Sequence, residues 1–142
     1  MSYNFLMMKP KAEIRSQDDL SEETLLKQEP DEIVAGLSAM FPELTWSRHS
    51  DGGWFGSLQV EDTWYEFWIG ATPDHCWSIR TSHLTRRRSL IQPICATLGL
   101  IAFDGQAMVI IGPDGARPAN GDPAQSSRRR SVLRKSFRPA FL

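Results

Sequence analysis

The sequence predicts a single α+β domain, with two helices and a mainly antiparallel sheet of five or six strands in the order α-ββββ-α-ββ. Three observations predict it. Apolar residues recur with helical spacing over residues 30–41 and again over 90–98. Between these stripes, over residues 54–82, apolar and polar residues alternate with period two. The strand segments follow one another through short turns, which favours an antiparallel sheet with the helices on one face.

Residues 1–20 show no periodicity and read as a flexible arm. Ser21 is placed to cap a short helical turn, with Glu22 and Glu23 near its N-terminus. In the first helix, Pro30 suits the first position, and Asp31 and Glu32 complement the dipole. Ile33, Val34, Leu37, Met40 and Phe41 make one face, and Pro42 stops the helix. Gly36 weakens it by about 1 kcal/mol relative to Ala.

Asp51-Gly52-Gly53 then marks a turn. In residues 54–60, Trp54, Leu58 and Val60 point one way and Phe55, Ser57 and Gln59 the other. In residues 63–71, Tyr65, Phe67 and Ile69 alternate with Trp64, Glu66 and Trp68. Glu61-Asp62 joins the two as a hairpin in which Val60 pairs with Thr63, Leu58 with Tyr65 and Trp54 with Ile69. The next strand, residues 76–82, carries Trp77 and Ile79 on one side and Cys76, Ser78 and Arg80 on the other. A four-residue loop before it would put Trp77 on the Trp64/Trp68 face; a five-residue loop would put it with Tyr65 and Phe67. The longer loop unites the stronger apolar sets and is preferred.

In the second helix, Ser89 with Gln92 fits a capping box, Pro93 belongs near the first turn, and Gly99 suits the left-handed position beyond the end. Leu90, Ile91, Ile94, Cys95 and Leu98 form its stripe. A last hairpin turns at Asp104-Gly105, and Gly112-Pro113-Asp114-Gly115 closes the domain. The organisation is thus a flexible arm (1–20), an α+β domain (21–115) and a disordered basic tail (116–142), whose composition at 116–127 is that of a linker.

Charge is unevenly spread. Net charge is −5 over residues 1–44 and +5 over residues 113–142 in a chain of net −1. Arg86, Arg87 and Arg88 form one basic cluster, at the wrong end of a helix for its dipole. Arg128, Arg129, Arg130, Arg134, Lys135 and Arg138 form another. In the tail, Val132, Leu133, Ser136 and Phe137 have helical spacing, which suits a nucleic acid, an anionic membrane or an acidic protein groove. The second functional reading is a nucleic-acid-binding protein that uses Arg86, Arg87, Arg88 and this tail, and the ordinary alternative is a solvated tail. No apolar run approaches the ~20 residues of a membrane span. Two cysteines and no secretion signal point to free thiols in the cytoplasm.

Enzymatic motifs are absent. No P-loop, dinucleotide fingerprint or Gly-x-Ser-x-Gly occurs, and no zinc-ligand spacing; no cofactor or metal is called for. A small hydrolase or metal protein would have to use His75, Cys76 and His83; a turn histidine beside a buried cysteine is the ordinary case. The aromatic residues are the unusual feature. All five tryptophans fall in the strand region, and alternation cannot place them all on one face. Coverage of both faces by helices is the bland explanation. The functional one is a non-enzymatic binding or adaptor protein that presents Phe55, Trp64 and Trp68 to another protein or to a second copy of itself.

Overall fold

A computed structural model describes residues 3–72, 75–82 and 87–120 and, of residues 87–89, the backbone alone. Among the described residues it is a single α+β domain of two helices and a nine-stranded antiparallel sheet. The strands are β1 (Tyr3–Pro10), β2 (Leu25–Leu26), β3 (Thr45–Arg48), β4 (Trp54–Val60), β5 (Thr63–Ile69), β6 (Cys76–Thr81), β7 (Ile101–Asp104), β8 (Val109–Gly112) and β9 (Gly115–Pro118). The helices are α1 (Pro30–Met40) and α2 (Arg87–Leu98). The sheet runs β3-β4-β5-β6-β1-β7-β8-β9, with β2 paired to the end of β1.

The first correction concerns the N-terminus. Instead of a flexible arm, Tyr3–Pro10 is an interior strand, paired with β6 from Tyr3↔Thr81 to Met8↔Cys76 and with β7 from Leu6↔Phe103 to Met8↔Ile101. It lacks clear alternation because apolar Leu6 and Met8 stand on the face opposite Phe5 and Met7, where Met8 is buried as well. Phe5 and Met7 lie under the helices, and Met8 lies in a second cluster on the opposite face. A strand buried on both faces is a nearly continuous apolar run, without a period to detect. Ser21 does cap a turn, its Oγ accepting from the Glu23 amide at 3.2 Å, but the chain then enters β2 rather than a helix.

The second correction concerns the sheet's size, nine strands rather than five or six. Beyond β1 and β2, it gains β3 and β9 at its edges. The expected turn at Asp104-Gly105 is longer, since Asp104 pairs with Val109. The Asp104 Oδ1 accepts from the amides of Gln106 and Ala107, both at 3.1 Å, and so caps a four-residue turn that ends in Met108 at φ 55°. Gly112-Pro113-Asp114-Gly115 does not end the fold. It is a two-residue hairpin turn into β9, with Gly112 facing Gly115. Residues 121–142, the rest of the expected tail, lie outside the described residues.

The central hairpin has the expected register throughout: Trp54↔Ile69, Leu58↔Tyr65 and Val60↔Thr63. Phe67 faces Ile79, the register of the longer loop, so Trp77 joins Tyr65 and Phe67. Both helices lie on this face. Ile33 and Leu37 of α1 meet Ile91, Ile94 and Cys95 of α2 in one core over the sheet. Gly36 has a packing reason: a Cβ there would come within 2.6 Å of Leu98, so glycine lets the helices close up. Helix α2 begins at Arg87, before Ser89, so Ser89 is not the cap and Pro93 is interior. Burial of Ile91, Ile94 and Cys95 outweighs the lost backbone hydrogen bond. Gly99, at φ 68°, ends the helix as expected, and the Leu100 amide donates to the Cys95 carbonyl at 2.9 Å.

On the opposite face, residues 11–25 fold over β1, β7 and β8. Ile14, Leu20 and Leu25 pack there against Met8, Ile101, Phe103 and Ile110. This cover does not include β4 and β5, whose outer face carries no helix.

Candidate aromatic binding face

Strand β5 alternates without exception. Thr63, Tyr65, Phe67 and Ile69 are buried, while Trp64 and Trp68 are 49% and 37% exposed. The five tryptophans therefore divide. Trp46, Trp54 and Trp77 belong to the helix-side core, and Trp64 and Trp68 emerge on the open face. The sheet's pleat forces the division, since neighbours along a strand point oppositely.

Phe55 and Trp68 are register partners and meet edge to face at 4.6 Å between ring centroids. Trp64 projects from the same face, opposite Gln59 and nearer the β4–β5 turn. The sheet thus puts all three residues singled out from the sequence on one face, with Phe55 and Trp68 in contact. It adds two more. His49, in the turn after β3, stacks on Trp68 at 5.3 Å with planes 17° apart. Arg80 of β6 lies 6.0 Å from the Trp68 ring centroid. Alternation in the sequence puts Arg80 on this face and does not mark it as part of a site. Nothing in the sequence around His49 signals its stacking, which depends on how β3 pairs with β4.

Electrostatically the face is mixed. Glu66 sits between the two tryptophans and is the register partner of Arg80. Such a surface neither repels nor attracts strongly as a whole, and its contact energy lies in its rings.

The other candidates lie elsewhere. Cys76 packs beside the second core, and the carbonyl of His75 accepts from Gln28 Nε2 at 3.3 Å. His83 lies outside the described residues, as do Arg86, Arg128, Arg129, Arg130, Arg134, Lys135, Arg138 and the side chains of Arg87 and Arg88. Among the described residues, no three His, Cys, Asp or Glu side chains gather as a metal site, and no helix is long and apolar enough to cross a membrane.

Cys95 is fully buried, and burial pushes its thiol from the ordinary 9.0 up to about 12. The native protein is expected to offer Cys76 alone to a disulfide reagent at pH 8, with Cys95 reacting only after unfolding. Equal rates for both thiols in the native state would contradict this. Because the folded-state value is raised, the stabilisation from neutral Cys95 is complete below pH 9. It is lost as pH climbs from there through about 12.

No protein-family model, curated protein or solved structure matches the chain.

Proposed function

We propose that this is a non-enzymatic binding or adaptor protein that docks a protein partner, or a second copy of itself, on the open face around Phe55, Trp64 and Trp68. One observation carries the reading: two tryptophans stand exposed on a sheet face free of helices, beside a half-buried phenylalanine. Leaving this much apolar surface in water forgoes about 25 cal/mol per Å². Tryptophan is also the residue most enriched where interface energy concentrates. The alternation that exposes these rings gives the core its own aromatic set, so the fold does not need them inside.

The double substitution Trp64→Ser/Trp68→Ser tests this. Thermal stability is expected to stay within a few degrees of the parent, because exposed positions contribute little to folding. Self-association in sedimentation velocity, or capture of a protein from native extract, is expected to weaken at least ten-fold. Unchanged association would refute the reading. A collapse of the melting temperature would also count against it, by making the rings structural.

A further inference from the structure

Next to the aromatic cluster, the open face sinks into a groove of about 570 Å³. We infer that it is a binding site for a small amphipathic carboxylate, an acyl or aryl acid with one negative charge. The inference does not rest on protein docking at the tryptophans.

The groove mixes an apolar wall with neutral polar groups, Gln17 and Gln106 among them, and one cation. Leu6 of β1, Phe103 of β7 and Met108 of the β7–β8 turn supply apolar surface. Asn4, Ser78 and Arg80 supply polar groups. Register explains the arrangement: Asn4 faces Arg80 and Leu6 faces Ser78 across β1–β6, while Leu6 faces Phe103 across β1–β7. The groove lies where the β7–β8 turn and Gln17, of the segment that covers β7 and β8, meet the uncovered part of the sheet face. Its size and its mixture of apolar wall with a few polar groups suit a small ligand.

Arg80 selects the charge. Its Nε donates to Asn4 Oδ1 at 3.2 Å, which fixes one edge of the guanidinium. Trp68 lies 6.0 Å from its Cζ. Among the described residues, no carboxylate forms an ion pair with it, although Glu66 is its register partner. The terminal nitrogens are therefore open to a ligand from a pre-oriented fork, the geometry that matches a carboxylate in two parallel hydrogen bonds. The groove's other polar groups are neutral, so one guanidinium balances a monoanion rather than a phosphate dianion.

Calorimetric titration of the full chain with decanoate and with decanol tests the assignment, together with amide shift mapping. Decanoate is expected to bind at least ten-fold more tightly than decanol, with shifts centred on Ser78, Arg80, Phe103 and Met108. Arg80→Gln should weaken decanoate at least ten-fold and leave decanol unchanged. Arg48→Gln, which removes an equal charge beside Trp54, should leave decanoate unchanged. No decanoate binding, equal affinity for acid and alcohol, or shifts confined to the exposed tryptophans would each overturn the inference.

Discussion

Deletion of Tyr3–Pro10 is expected to abolish cooperative folding, with loss of the thermal transition and of the near-ultraviolet signal from the buried aromatic residues. The strand holds the sheet's two parts together: β3 to β6 lie on one side and β7 to β9 on the other. Phe5, Met7 and Met8 are 0–1% exposed. Losing even one such side chain costs about 2–5 kcal/mol, against a total stability of about 5–15 kcal/mol. Removing three of them, together with both hydrogen-bond ladders, exceeds that total. A shortened chain that still melted cooperatively would show that the two parts can close without the strand.

The second large effect is expected at Gln28, a buried polar residue between β2 and α1. Its Oε1 accepts from Trp77 Nε1 at 2.9 Å, and its Nε2 donates to the carbonyls of Met7 and His75, both at 3.3 Å. One side chain thus ties β1, β6 and the turn before β6 to the approach of α1. Gln28→Ala would strand the indole N–H of Trp77, which is 4% exposed, away from water. An unsatisfied buried group costs about 1–3 kcal/mol, and a cavity adds to it. The expected destabilisation is about 3 kcal/mol, or about 10 °C in melting temperature for a domain of this size. A shift below about 2 °C would mean that water replaces the amide without loss.

Sequence and structure agree where the deciding interactions are local. The register of β4 with β5 follows from two alternating strands and a two-residue turn, and every pair falls where the alternation puts it. Helix α1 follows from Pro30 and a single apolar face. The exposure of Trp64 and Trp68 follows from the same alternation. Agreement fails where partners are distant in the chain. Strand β1 has no period of its own, and the residues that make it a strand come after position 75. Strand β9, Gly-Ala-Arg-Pro, reads as linker because only pairing with β8 makes it extended. At Asp104, the side chain's capping of two amides takes precedence over the tighter Asp-Gly turn. The groove at Arg80 is hidden for the same reason as β1, since Asn4, one of its polar residues, lies in the segment that reads as a flexible arm.

The position of β1 also orders events in time. Made before all its neighbours in the sheet, it has only β2 beside its last two residues, Lys9 and Pro10, until Cys76–Thr81 and then Ile101–Asp104 have been synthesised. Closing loops of that length precedes any reward from pairing, so the sheet should assemble slowly for its size. Meanwhile, a segment carrying Phe5, Leu6, Met7 and Met8 waits with two unpaired edges. The hairpin β4–β5 needs only its own two-residue turn to find its register, whereas the strand that unites the molecule is completed only once β7 has joined it.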